Sequence, residues 1–135
     1  MFSHLIIGSN DIDRAQAFYD GLLAVIGAEK GARQTNASGQ QRVFYMHKGC
    51  LFGITQPLDG QPATVANGGT IGFQCDSPEQ VRRFHDTAVA LGSTSVESPP
   101  GLRQGPAGAL YQAYVRDPDG HKLCALYRMK PGESA

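Results

Sequence analysis

Two stretches of the chain open in the same way. Each has a few residues with period-two apolar spacing, then a capping residue, then apolar residues at helical spacing. In the first, Leu5 and Ile7 alternate with His4, Ile6 and Gly8; in the second, Ile71 and Phe73 alternate with Thr70, Gly72 and Gln74. Alternate residues of a strand point to opposite faces. Leu5/Ile7 and Ile71/Phe73 are therefore expected to pack on a helix, with His4 and Thr70 on the other side. Asp11 and Ser77 are good N-caps, and Ser77-Pro78-Glu79-Gln80 adds Pro at the first helical position and a capping-box Gln. Ala15, Phe18, Tyr19, Leu22, Val25 and Ile26 form one helical stripe; Val81, Phe84, Ala88 and Leu91 form another. Gly27 and Gly92 suit the left-handed position that ends a helix. The second stretch lies over the first at an offset of 66 residues, His4 on Thr70 and Phe18 on Phe84, with no gap. The chain reads as a duplicated unit.

Three short strands are expected after each helix: about Glu29–Gln34, Arg42–His47 and Cys50–Thr55, then about Thr94–Glu97, Leu110–Arg116 and Lys122–Tyr127. Lys48-Gly49 is a tight turn, and Asp117-Pro118-Asp119-Gly120 is a turn in which Pro presets φ and Gly supplies φ > 0. The fold class is thus α+β with two β-α-β-β-β modules. Module one covers about residues 1–56 and module two about 69–128, with a linker at about 57–68 and a frayed tail at 129–135. Gln56–Gly68 and Ser98–Ala109, rich in Pro and Gly, are expected to be irregular; the second is a candidate lid or a surface loop.

Twelve basic and twelve acidic residues cancel, and charged residues make up only 18% of the 135. A pI near 6.9 gives no basic surface for nucleic acid or anionic membrane. The longest aliphatic run near the start, Leu5-Ile6-Ile7, is too short for a signal peptide or a membrane span. Three cysteines in no CxxC spacing favour reduced thiols and a cytoplasmic location. No GxSxG, HExxH, Walker A or GxGxxG motif is present.

The segments "NDIDRAQAFYDGLL", "GTIGFQCDSPEQVRRFHD" and "AYVRDPDGHKLCAL", set in two β-α-β-β-β modules, resemble the vicinal oxygen chelate superfamily. This is the glyoxalase I, extradiol dioxygenase and fosfomycin- and bleomycin-resistance group. The likeness spans roughly Phe2 to Tyr127, and length and spacing are most similar to bacterial lactoylglutathione lyase-like proteins. It implies paired modules curving into a cup around a divalent metal, with ligands from the first and last strands of each module. Those positions fall here at His4, Gly53, Thr70 and Cys124. Only His4 is a strong ligand. Gly53 has no side chain, Thr70 is a poor ligand, and Cys124 stands where the family places Glu. A catalytic zinc site takes three protein ligands, so the site is incomplete, holding either no metal or one Zn, Ni, Mn or Fe ion.

Three roles are open for His4: metal ligand, metal-free acid or base in a pocket, or hydrogen-bonded structural residue. Thr70, Cys124 and Gly53 are expected to line the pocket, with Tyr45, Tyr114 and Arg103 as further substrate-binding candidates. Arg103 could hold an anionic group or be solvated. Cys50 and Cys75 are assigned to packing, and His47, His85 and His121 to solvent. The functional expectation is a glyoxalase-like small-molecule enzyme with a degenerate metal site, acting on a small polar or thiol-conjugated metabolite. The alternative is a non-catalytic sequestering protein of the bleomycin-resistance type, and an extradiol dioxygenase ranks last for lack of two His and a carboxylate. The resemblance also implies a homodimer, with His4 of one subunit facing Thr70 and Cys124 of the other.

Overall fold

The computed structural model describes residues 1–135. The chain runs β1 (His4–Gly8), α1 (Ile12–Leu23), a 3-10 turn (Ala24–Ile26), β2 (Ala32–Thr35), β3 (Gln41–His47) and β4 (Cys50–Thr55). It continues β5 (Ile71–Gln74), α2 (Pro78–Ala90), β6 (Thr94–Gly105), β7 (Gly108–Arg116) and β8 (Lys122–Arg128). Two four-stranded sheets result, in the order β1-β4-β3-β2 and β5-β8-β7-β6. In each, the first strand pairs parallel with the last and the remaining pairs are antiparallel. This is the α+β arrangement of two β-α-β-β-β units. No helix is long and apolar enough to cross a membrane.

Both helices start where the caps foretold. The Asp11 carboxylate accepts from Arg14 N at 3.0 Å and Ser77 Oγ accepts from Gln80 N at 3.0 Å, satisfying amides that have no partner inside the helix. Gly27 (φ 92°) and Gly92 (φ 94°) end the helical segments in the left-handed region. Each helix packs on one face of its own sheet. In β3 that face carries Val43 and Tyr45; in β7 it carries Tyr111, Ala113 and Val115. The opposite face, termed the cup face here, carries Arg42, Phe44 and Met46 in β3 and Gln112 and Tyr114 in β7.

Several elements differ from expectation, each for a local reason. The second strand begins at Ala32, not Glu29, because two α1 side chains take both backbone groups of Gly31. Gly31 N donates to Asp20 Oδ1 at 2.9 Å, and its carbonyl accepts from Gln16 Nε2 at 3.2 Å. The expected irregular Ser98–Ala109 loop is mostly strand. β6 runs through it to Gly105, interrupted by a bulge between Val96 and Gly101, and Gly108 begins β7. Its two adjacent prolines fall in the bulge of an edge strand, where no ladder N–H is needed. Leu5, expected to pack on a helix, and Leu91, of the second helical stripe, are each 43% exposed. Leu5 sits at the open end of β1, beyond the cover of α1, beside a cavity.

The two halves share one core. An aromatic chain crosses it from Phe18 to Tyr19 (centroids 5.0 Å apart), to Phe52 (5.0 Å), to Phe73 (5.4 Å) and to Phe84 (5.6 Å), linking α1, β4, β5 and α2. Beside it the Asp117–His121 turn of the second half docks on the first. The buried Asp117 carboxylate accepts from the Tyr19 hydroxyl at 2.6 Å and from the backbone of Asp119 (3.0 Å) and His121 (2.9 Å). Asp119 accepts from Ser9 Oγ (2.6 Å) and Asn10 N (2.9 Å), and His121 Nε2 donates to the Gly8 carbonyl (2.8 Å). His121 is thus a buried, bonded residue and not the solvated one expected. Tyr19→Phe removes one partner of a buried carboxylate. It is expected to lower unfolding stability by about 1–3 kcal/mol. In urea titration the midpoint falls while the slope is unchanged.

Candidate functional site

The four positions of the implied metal site are divided between the cup faces of the two sheets, His4 with Gly53 on one and Thr70 with Cys124 on the other. His4 and Thr70 line a cavity of about 640 Å³ at the seam between the halves, walled mainly by Leu5, Phe52, Ile71 and Phe73. Gly53 and Cys124 do not line it; they lie on the cup faces of different sheets, opposite Phe44 and Tyr114 in register. The cavity has a physical cause in the unequal turns. The second half docks on the first through the Asp117–His121 turn. The corresponding hairpin of the first half is only Lys48-Gly49, with both residues at positive φ (48° and 78°). It reaches the second half near the cavity through one loose exposed ion pair, Lys48 Nζ to Asp76 Oδ2 at 3.6 Å. Tight docking on one side of the seam leaves a gap on the other.

His4 is exposed, and its Nδ1 lies 2.7 Å from Ser3 Oγ. Gly53 is buried, and the space a side chain would need is filled. A Cβ there would lie 2.9 Å from Phe44 Cε1 and 3.1 Å from Ile6 Cγ1. Cys124 is buried beneath Tyr114 and Gln112, whose Nε2 lies 3.8 Å from the sulfur. Burial pushes the Cys124 thiol up, and the contacts with Tyr114 and Gln112 only partly offset it. A thiol held protonated is a poor ligand and a poor nucleophile. Thr70 offers only a hydroxyl. No group of three or more His, Cys, Asp or Glu side chains is placed to hold a metal ion. The donor set therefore does not fit the divalent metal that the fold family implies.

Other candidates are placed differently than expected. Tyr45 stands on the helix side of its sheet, its hydroxyl donating to Asp20 Oδ1 at 2.7 Å, and it meets the seam cavity, not the cup face. Tyr114 does stand on the cup face, with Lys122 Nζ 4.8 Å from its ring centroid and Lys122 paired to Glu97. Arg103 is partly exposed, but its guanidinium is engaged within the chain. Its guanidinium donates to the carbonyls of Gly101 (2.8 Å), Ser98 (2.9 Å) and Pro99 (3.0 Å) and braces the β6 bulge. Cys50, assigned to packing, is exposed, whereas Cys75 is buried. Arg42 and Phe44 escaped the sequence analysis. The signal was there: with Val43 and Tyr45 facing the core, strand alternation sends Arg42 and Phe44 to the cup face.

The sequence pattern of the Glyoxalase/Bleomycin resistance protein/Dioxygenase superfamily matches residues 1–125. A glyoxalase/bleomycin resistance protein from Albidiferax ferrireducens T118 is 50% identical with a TM-score of 0.87, covering 95% of this chain and 99% of its own. A virulence protein from Salmonella typhimurium is 19% identical (TM-score 0.63; 96% and 97% covered). The fosfomycin resistance protein FosX from Listeria monocytogenes, solved with Mn(II) and a dihydroxypropylphosphonic acid, is 20% identical (TM-score 0.64; 93% and 87% covered). No functionally curated protein matches the chain. The chain belongs to the glyoxalase/bleomycin resistance/dioxygenase superfamily, the vicinal oxygen chelate group.

The thiols give a direct check on this geometry. Burial pushes Cys75 up to about 12 from an ordinary 9.0. A disulfide reagent at pH 8 is expected to titrate Cys50 alone in the native protein and all three thiols in denaturant. Because the folded pKa of Cys75 lies above its unfolded value, its contribution to stability is intact below pH 9. It is lost as pH climbs from 9 toward 12. Unfolding free energy measured across that range should fall less steeply in Cys75→Ala than in the parent.

Proposed function

We propose that the chain is a small-molecule-binding protein of the bleomycin-resistance kind, working without a divalent metal in its cup. One observation carries this reading. At Gly53, where the resemblance places a metal-binding side chain, the Phe44 ring and Ile6 occupy the space. The site has gained an apolar floor in place of a ligand. Thr70 and the buried, protonated Cys124 supply a hydroxyl and a small soft surface, which suit lining better than coordination. The cup face of the first module, with Ile6, Phe44, Met46 and Leu51, is best covered by a second copy, so a homodimer is part of this reading. In it, His4 and Gly53 of one chain face Thr70 and Cys124 of the other.

A second reading, a glyoxalase-like catalyst acting on a small polar or thiol-conjugated metabolite, has one observation in its favour. The Ser3 hydroxyl orients the imidazole of His4, leaving its other nitrogen available to move a proton. The two readings separate by experiment. After incubation with Ni²⁺, Zn²⁺ or Mn²⁺ and dialysis, elemental analysis should find well below one metal per chain. Near-stoichiometric metal that disappears in His4→Ala sinks the metal-free reading. Metal-stimulated turnover of methylglyoxal with glutathione would establish the lyase. A thermal-shift screen of aromatic drugs and thiol conjugates should return ligands, and light scattering should give twice the chain mass. Gly53→Glu is expected to restore no metal and to destabilise by about 1–3 kcal/mol through overpacking. Phe44→Ala in the same chain should relieve that cost, a coupling read from a double-mutant cycle.

A further inference from the structure

Five arginines are tied within the chain: Arg14 to Asp119, Arg33 to Asp13, Arg82 to the Tyr111 hydroxyl, and Arg103 and Arg116 to carbonyls. Arg83 and Arg128 stand in solvent. Arg42 fits neither group. It is half-buried, enters none of the ion pairs of the chain, and its Nε is buried with no hydrogen-bond partner. It is the one buried side-chain nitrogen or oxygen left in that state. Its guanidinium carbon lies 5.1 Å from the centroid of Phe44, the ring that fills the Gly53 position.

No carboxylate stands on this face to meet it. Its cross-strand neighbours are Gln34 and Thr55, and the Thr55 hydroxyl already donates to the Gln56 carbonyl at 2.8 Å. Ile6, Leu51, Gly53 and Phe44 make up the adjoining surface. A buried guanidinium nitrogen without an acceptor is costly, and a guanidinium presents its N–H donors as a planar fork matched to an oxyanion. Stacking on Phe44 covers one face of the plane, and the two Nη groups, which have no partner and are not closed off as Nε is, remain for an incoming group.

We propose that Arg42 is the anion anchor of the cup. It would hold the carboxylate, phosphate or phosphonate group of a small ligand edge-on, while the ligand's apolar part lies against Phe44 and Ile6. This rests on the cup being the binding surface and adds the class of ligand: a small oxyanion with an apolar body. Of the cations on the second half's cup face, Lys122 is bound to Glu97, Arg103 and Arg116 are bound to carbonyls, and Arg128 is exposed at the end of β8; Arg42 is the one whose guanidinium is half-buried and unpartnered.

Matched probes test it: benzoate and phenylphosphonate against neutral benzamide, with inorganic phosphate as the bare anion, followed by amide NMR shifts and titration calorimetry. Both aromatic anions should move the Ile6, Phe44 and Gly53 amides and bind at least roughly tenfold tighter than benzamide. Their relative affinities distinguish a carboxylate from a phospho-ligand. Arg42→Met should lose roughly ten- to hundredfold in anion affinity, leave benzamide binding unchanged, and melt no lower than the parent. Arg42→Lys should retain part of the preference. Undiminished anion preference in Arg42→Met overturns the anchor while leaving the cup reading intact. A clearly lower melting temperature of ligand-free Arg42→Met also overturns it, since Arg42 would then have a protein partner in the assembly. If every probe, benzamide included, leaves the Ile6, Phe44 and Gly53 amides unmoved, the cup reading itself fails.

Discussion

The bond between the Tyr19 hydroxyl and the buried Asp117 carboxylate ties the architecture together. Neither half can bury both faces of its sheet alone, so each depends on the other for a core. The aromatic chain from Phe18 to Phe84 supplies the apolar part of that union but fixes direction only loosely. The Asp117 turn supplies direction. It places a carboxylate, a second carboxylate at Asp119 and an imidazole at His121 against the β1–α1 junction, where each bond has a defined geometry. A carboxylate so deep is tolerated because three donors converge on it.

That docking also shapes the empty space. Because the second half reaches across with a long, bonded turn and the first answers with a two-residue hairpin, the pseudo-symmetric seam is tight at one end and open at the other. His4 and Thr70, equivalent by the repeat, both border the open end, while Gly53 and Cys124, further along the same sheet faces, do not. A fold that elsewhere holds a metal here has ligand positions that lack donor side chains or are filled. Shared architecture with the FosX structure therefore transfers no chemistry. What the cup face does present is an aromatic floor, a small residue beneath it, and a cation without a partner.

Much of this was legible before any coordinates. The 66-residue repeat, the Asp11 and Ser77 caps, the Gly27 and Gly92 helix ends and the β4 strand from Cys50 to Thr55 are local features, and they hold as read. The misreadings share a different origin. Ser98–Ala109 looked irregular because its prolines and glycines disfavour regular strand, yet a bulge and the Arg103 guanidinium let an edge strand absorb them. Gly31 left the second strand because α1 side chains outbid the ladder for its amide and carbonyl. His121 looked solvated because its burial depends on Gly8, 113 residues away.

Sequence by itself determined the duplicated α+β plan, the face that β1 and β5 turn inward, and the absence of strong ligands at Gly53 and Thr70. These follow from spacing and from what a side chain can chemically do. Tertiary structure decided where the candidates met. Whether Gly53 leaves a hole or a filled floor depends on the Phe44 ring from the neighbouring strand. Whether Arg103 or Arg42 is free depends on which acceptors the fold brings within reach. Such contacts are set by packing between distant segments, which no local pattern encodes.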